Sequence, residues 1–410
     1  MTEIMRVTAT LDEPAALGRG RRADFRQDTF DHVPGSVLRG AYAAAWIRRH
    51  GIDVTTSPEF SAVFEGTGTF GPLHTDTSLP LPLSVFRHKY QPSPRCERLW
   101  WDRALGAAET ECPHCRQLLE PGRGEPIGEI PRVHRTRAAL DMDGVARTAQ
   151  LFQTSALPTG TQLHGWVTGP AVRALRLGDS TISRLKFGGD RSTHGAVTIT
   201  VDDDMPTPLE TSVSEGSVMV VLRLAAPGVF LDQYGLPADR PDTDELREHL
   251  GCADAEIVGA WTRWTEVGGW HAASGLPKPR DRAVAAGSTY QVRCGTAPAP
   301  DALTALRARG VGLRRREGFG ALYVPPSPPL PDRYWFRRAI PVRGFHGWPR
   351  LRVLLRTRLD TWPPEPDADA RLLTVLGKHL DDRQREALET FLSIGDQTTS
   401  GAVLDMLEEQ

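Results

Sequence analysis

Two segments of this 410-residue chain follow one plan, and that plan predicts an α+β fold of two tandem ferredoxin-like units. Each segment opens on a strand, crosses through a helix and closes on a cation-bearing glycine loop ahead of another strand, the order of a split βαβ arrangement. Three pairs of stretches carry the prediction. They are MRVTATL against SVMVVLRLAAP from Ser217, the helix after Pro34 against DTDELREHLG, and RLKFGGDRSTHGAVTITV against GVGLRRREGFGALYVPP.

In the first strand Met5, Val7, Ala9 and Leu11 alternate with Arg6, Thr8 and Thr10, the period of two that puts one face on a core. In DHVPGSVLRGAYAAAWIRRH, Ser36 is placed to cap a helix carrying Val37, Leu38, Ala41, Ala44 and Ala45. Residues 86–135 show no sustained period and several turn signals, so they read as an insertion ordered by something other than a core. The second helix is capped by Asp242 and stopped by Gly251. PPSPPLPDRYW after Val324 reads as a linker, followed by RVLLRTRL and a helical stretch from Asp367 to Gln410, a docking appendage more than a domain. The expected domains are therefore 1–210 with the insertion at 86–135, then 211–330, then linker and helical tail over 331–410.

A net charge of −2 and a pI near 6.6 exclude a uniformly basic surface, so a polyanion would be met by a local patch. The N-terminus carries acidic residues and lacks a signal peptide's apolar segment, and no run reaches membrane-spanning length. A cytoplasmic protein without a membrane partner is expected. Five cysteines are too few for a disulfide framework, and three cluster in the insertion.

Cys96 and the knuckle Cys112-Pro113-His114-Cys115 supply three thiolates of the kind that hold a tetrahedral Zn²⁺. The fourth ligand comes from the flanks, from His88 or His134. We carry His88 with the three cysteines as the candidate set; His114 serves only if the knuckle turns it inward. A structural zinc suits a segment poor in apolar mass. Cys252 and Cys294 sit in apolar surroundings and read as buried and unreactive.

The first glycine loop sets Lys186, Arg191 and His194 around Gly188, Gly189 and Gly195, where amides and cations can approach a phosphate. The spacing is not that of a nucleotide P-loop. The second loop runs Arg314, Arg315, Arg316, Glu317, Gly318, Phe319, Gly320, and its aromatic can stack on a base or tuck beneath the turn. Arg39, near the start of the first helix, can join that helix end in holding a phosphate. Trp270, His271, Lys278 and Arg280 combine stacking and charge in a way that suits single-stranded nucleic acid, although a Trp under a loop is equally a packing residue. Asp24, Asp28 and Asp31 are the acidic candidates for phosphodiester cleavage. Mixed with Arg21, Arg22 and Arg26, they read first as surface ion pairs.

Taken in order, VPGSVLRGAYA, the cysteine insertion, RTRAALDMDGVARTAQLFQTSALPTGTQLHGWV, LKFGGDRSTHGAV, VGGWHAASGLPKPRDRAVAAGSTY and RRREGFGALYV resemble the RAMP superfamily of CRISPR-associated proteins. Within it they are most similar to the type III-D effector subunit at the 5′-handle end of the crRNA. The resemblance covers roughly residues 1–330. It implies tandem ferredoxin-like (RRM-like) domains, glycine loops on crRNA, and assembly with other RAMP backbone subunits and the large signature subunit. Target RNA is contacted only indirectly, and the role is structural, without catalysis. Pro34, Gly35, Ser36 and Arg39 match the family's helix motif, Gly318, Phe319 and Gly320 its C-terminal loop, and Gly188, Gly189, Arg191 and Gly195 part of its central loop. Two other readings are an endoribonuclease that cleaves target RNA or processes crRNA, and a protein-interaction scaffold without RNA contact.

Overall fold

The computed structural model describes every residue except 1–2, 22–25, 91–95, 97, 129, 141, 144–145, 177–184, 189–193, 215, 272–273, 327–347, 364–366, 377–379, 393–396 and 409–410. Helices and sheets mix along the chain in an α+β arrangement. Asp24, Gly189, Arg191 and the linker over 331–347 lie outside the described residues.

The first half contributes β1 (Ile4–Leu11), α1 (Gly35–His50), β2 (Thr69–Phe70), β3 (Gln162–Thr168), a 3₁₀ segment at Gly169–Arg176 and β4 (Ala196–Asp202). β1 lies antiparallel between β3 and β4, and β3 pairs with β2, giving the order β4-β1-β3-β2. The alternation of β1 works as read: Val7, Ala9 and Leu11 are buried in one core with Leu38, Ala41, Tyr42 and Trp46 of α1. Each large aliphatic or aromatic side chain so buried stabilises the fold by about 1.5–3 kcal/mol. The sequence reading gave the helix a smaller face; Tyr42 and Trp46 fill it, while Ala44 and Ala45 are only half-buried.

One expectation is corrected at the start of α1. The helix begins at Gly35, two residues early, with Pro34 as N-cap and no side-chain capping bond, so Ser36 is not the cap. The proline ring sets the extended entry conformation by itself, and Ser36 stands exposed in the first turn.

The second half contributes β5 (Ser217–Arg223), α2 (Thr243–Leu250), β6 (Glu256–Trp261), β7 (Thr289–Cys294) and α3 (Pro300–Arg309). β7 pairs with both β5 and β6. Asp242 caps α2 through the Asp244 amide, and Gly251 ends it at φ +65°, as read. After α3 the chain returns beside β5: Leu322 bridges Leu224, and the Tyr323 amide donates to Arg223 O at 3.0 Å.

Corresponding turns in the two halves make the same backbone hydrogen bonds. Gly195 N donates to Pro14 O and Gly320 N to Pro227 O, at 3.0 and 2.9 Å. Asp12 N donates to Ala196 O and Ala225 N to Ala321 O, at 2.9 and 2.7 Å. Leu11 N reaches Thr161 O and Leu224 N reaches Ser288 O, both at 3.0 Å. Ahead of β3 a ribbon of Val133–Leu140 with Ala146–Ala156 joins Gly18–Arg21 and Arg26–Thr29 in a four-stranded sheet, whereas ahead of β7 the ribbon of Trp264–Val267 with Asp281–Val284 stays two-stranded.

Both halves belong to one compact unit, Met1–Ser84 with Gly122–Pro326; Val85–Pro121 and Ser327–Gln410 form the other. In the latter, the helices Trp348–Asp360, Ala368–Leu376, Asp382–Leu392 and Gln397–Glu408 enclose a core that includes Leu351, Leu355, Phe391, Leu404 and Leu407. The tail thus has an interior of its own, where the sequence reading saw an appendage. Its buried Arg358 hid the pattern, and that guanidinium is neutralised by Asp369 at 2.7 Å and donates to Leu392 O at 2.8 Å. No described helix is long and apolar enough to cross a membrane.

Candidate metal centre and nucleic-acid interface

The insertion is a three-stranded sheet of Val85–His88, Trp100–Asp102 and Leu119–Pro121, with Phe86 opposite both Trp101 and Pro121. A hairpin joins the sheet to the Cys112-x-x-Cys115 knuckle. There Cys112 N donates to Gln117 O at 2.8 Å and Arg116 N to Cys112 O at 2.9 Å, with Arg116 at φ +59° closing the turn. This folding brings together the candidate set: the ligand atoms of His88, Cys96, Cys112 and Cys115 all lie within 4.8 Å of one another. Cys96 and Cys112 Sγ are 3.7 Å apart, close to the ~3.8 Å that a tetrahedral site with Zn–S bonds of about 2.3 Å requires. His134 lies exposed on the first ribbon and His114 is exposed in the knuckle, so among the described residues the fourth position falls to His88.

The chemistry of this donor set fits a metal. His88 is buried edge-on to Trp101 at 5.1 Å, and among the described residues neither ring nitrogen has a hydrogen-bond partner. Burial holds its pKa below the ordinary range, which keeps the imidazole in its neutral, ligating form. Burial also pushes the Cys96 thiol up to about 12, and the neighbouring Cys115 and Cys112 add to the shift. Thiolates so placed need a cation among them. The apolar cluster around them is small, with Cys96, Trp101 and Cys112 buried and Phe86, Ala107 and Leu119 packed on them.

In the larger unit, the start of α1 meets the second glycine loop backbone to backbone. A Cβ on Gly35 would overlap Phe70 O and collide with Gly318 Cα, so only glycine admits this approach. Arg39 Nε donates to Phe64 O at 2.8 Å and its Nη2 pairs with Glu65. Arg316 Nη1 donates to Glu65 O at 2.8 Å and lies 3.4 Å from Glu65 Oε2. Two motifs far apart in sequence thereby converge on one carboxylate.

The other cations also carry carboxylate partners. Arg315 pairs with Glu245 at 2.5 Å, and Arg314 with Asp281 at 2.5 Å and Glu317 at 2.9 Å. Lys278 reaches Glu317 at 2.7 Å. Burial raises the Glu317 pKa, but hydrogen bonds and charge from Arg314 and Lys278 outweigh it and hold the carboxyl down at about 2. The Arg314 guanidinium covers the Phe319 ring at 4.5 Å, and that ring packs on Val229, Val267 and Ala283. Phe319 is therefore tucked beneath its turn.

Lys186 in the first loop makes a 3.5 Å contact with Glu13, whose carboxylate also accepts the Ala196 amide at 3.1 Å. Gly188 packs on the Ala16 carbonyl, which a Cβ would overlap. Arg135 donates to His194 Nε2 at 2.9 Å. Past the second ribbon, Trp270 on the short strand Trp270–His271 is exposed, and Arg280 makes a 3.2 Å surface pair with Glu266. Of the acidic candidates, Asp28 lies in the strand Arg26–Thr29 and Asp31 is paired with Arg132. Glu13, Glu65, Glu245 and Asp281 were not singled out from the sequence, because nothing local marks a carboxylate as the partner of a distant arginine.

Residues 101–325, more than half of the chain, match the family described as CRISPR-associated protein (Cas_Cmr3). Comparison with curated protein sequences gave no match. Among solved structures the chain is similar to a subunit of the type III-B Cmr-beta complex bound to cognate target RNA and AMPPnP. The TM-score is 0.38 at 13% identity, covering 70% of this chain and 86% of that one. It is also similar to a chain of the Csm3–Csm4 subcomplex of the type III-A interference complex (TM-score 0.32, 10% identity, 72% and 98% covered). A third likeness is to the Thermus thermophilus Cas6 (TM-score 0.27, 12% identity, 79% and 98% covered). On the family match, the chain belongs to the Cas_Cmr3 family of CRISPR-associated proteins.

Proposed function

We propose that this chain is a non-catalytic, crRNA-binding subunit of a type III CRISPR effector ribonucleoprotein of the III-D kind, acting in the cytoplasm. It grips the 5′ handle and nucleates assembly with the other RAMP backbone subunits and the large signature subunit. The observation that carries the reading is the meeting of Gly35 and Gly318, which sets Arg39 and Arg316 side by side. The family's two terminal motifs then form one continuous surface for a sugar–phosphate backbone. Two tandem ferredoxin-like halves, supported by their repeated hydrogen bonds, present the loops on the same side of each turn. The pairing of Asp31 with Arg132 speaks against Asp31 as a catalytic carboxylate.

The test is to purify the assembled complex by a tag on this chain, crosslink with ultraviolet light and sequence the attached RNA. Crosslinks from both glycine loops to one fixed crRNA end are expected. Co-purified subunits with no RNA crosslinked to this chain would favour the scaffold, and RNA cleavage abolished by Asp28→Ala or Asp31→Ala the nuclease.

Zn²⁺ held by His88, Cys96, Cys112 and Cys115 would brace the insertion, replacing the core it lacks. One zinc per chain is expected by elemental analysis, lost in the Cys112→Ser, Cys115→Ser double variant; unchanged zinc content there would overturn the site.

A further inference from the structure

We infer that Glu65 is a stand-in for an RNA phosphate, an internal competitor that binding displaces. This rests on the RNA-binding reading above. Glu65 closes a π-helical turn, Ser61–Glu65, a local departure from α-helix of the kind often found at functional sites. Its two carboxylate oxygens are divided between two guanidinium groups, Oε1 on Arg39 of the first half and Oε2 on Arg316 of the second. A phosphodiester offers the same pair of anionic acceptors to the same two forks.

Exposure decides which carboxylate can leave. The Glu317 side chain is 8% exposed with two cationic partners, and that of Glu245 is 19% exposed. Asp281 is more open, but Arg314 would keep Glu317 and the Phe319 face after its departure. Glu65 is 47% exposed, and ion pairs this open are worth no more than about 1 kcal/mol each. Once the carboxylate swings away, Arg39 still donates to Phe64 O and Arg316 to Glu65 O. Those backbone bonds keep both guanidinium groups aimed at the vacated position, so the phosphate finds them already oriented.

The experiment measures binding of a fluorescently labelled single-stranded RNA of repeat-derived sequence to the full chain across a salt series. Glu65→Gln is expected to bind about tenfold tighter at low salt, the worth of the released ion pairs, with a steeper salt dependence because no displaced carboxylate takes up cations against those the RNA releases. Glu65→Asp, which keeps the charge, should stay near wild type, and Arg316→Ala in the Glu65→Gln background should erase the gain. If Glu65→Gln binds no tighter while Arg316→Ala weakens binding, the arginines contact RNA and the competitor role fails. If Glu65→Gln binds more weakly, Glu65 positions the arginines and the inference is overturned. Absence of RNA binding in every protein, together with absence of crosslinks in the assembled complex, would overturn the RNA-binding reading itself.

Discussion

Gly195 and Gly320 occupy the same turn in the two halves, with φ at +83° and +67° and with matching bonds to Pro14 and Pro227. The charges around them differ. Among the described residues Lys186 beside the first turn has one long contact, to Glu13, whereas Arg314, Lys278, Asp281 and Glu317 beside the second form a network of short ion pairs. The backbone bonds match while the side chains differ. Both glycines are required by chain packing alone, since a Cβ would overlap Phe187 O in one case and Val311 O in the other. A glycine loop of this kind therefore reports a turn first, and its ligand must be read from the cations that surround it.

The largest effects expected come from the shared feature. Gly195→Ala and Gly320→Ala should each cost about 3 kcal/mol in urea unfolding, from left-handed backbone strain plus the carbonyl overlap. A loss under about 1 kcal/mol at either position would break the equivalence of the two turns. The next effect sharpens the difference between them. Glu317→Gln leaves Arg314 and Lys278 facing a neutral amide and should cost about 2 kcal/mol, below the full penalty of a buried pair because both cations are partly exposed. Glu13→Gln should cost less than about 1 kcal/mol. Equal losses at the two sites would mean that the networks differ in drawing but not in strength.

Much of this architecture was legible because it is local. The alternation in Met5 to Leu11, the Asp242 cap with its Gly251 stop, and the spacing of Cys112 and Cys115 all act within a few residues. The candidate metal-binding cluster was also within reach, since His88 and Cys96 flank one short segment. Ser36 misled because a serine before an apolar run is a good cap, while Pro34 imposes the helix start by ring geometry. The tail's interior was masked by Arg358, a charge neutralised by a partner in the following helix. What could not be read was neutralisation at a distance. Arg316 and Glu65 are 251 residues apart, and no sequence pattern says that a basic loop has already met its acid.

Acid should unfold the two halves through different groups. In the first half His74 is 5% exposed and stacks on His32 at 4.4 Å, with Nδ1 beside Ser78 O and Oγ at 3.2 and 3.1 Å. Burial, then the charge of His32, hold its pKa well below the ordinary 6.5. The folded protein keeps this ring neutral while the unfolded chain takes up a proton below pH 6.5, so stability falls as pH drops past that value. The loss therefore begins near pH 6.5 and grows as the pH falls further. Glu317, with a folded pKa of about 2 against an ordinary 4.5, works in the lower window: its contribution is complete above pH 4.5 and is lost as pH falls toward 2. Urea midpoints measured from pH 7 to pH 3 should therefore decline in two stages. His74→Gln should flatten the upper stage and leave the lower intact, and Glu317→Gln should do the reverse. A His74→Gln protein that still loses stability between pH 6.5 and 5 with the wild-type slope would mean that the ring is already protonated in the fold. The stack with His32 would then have to be held by the carboxylates nearby, Asp76 foremost, which bonds His164 at 3.0 Å.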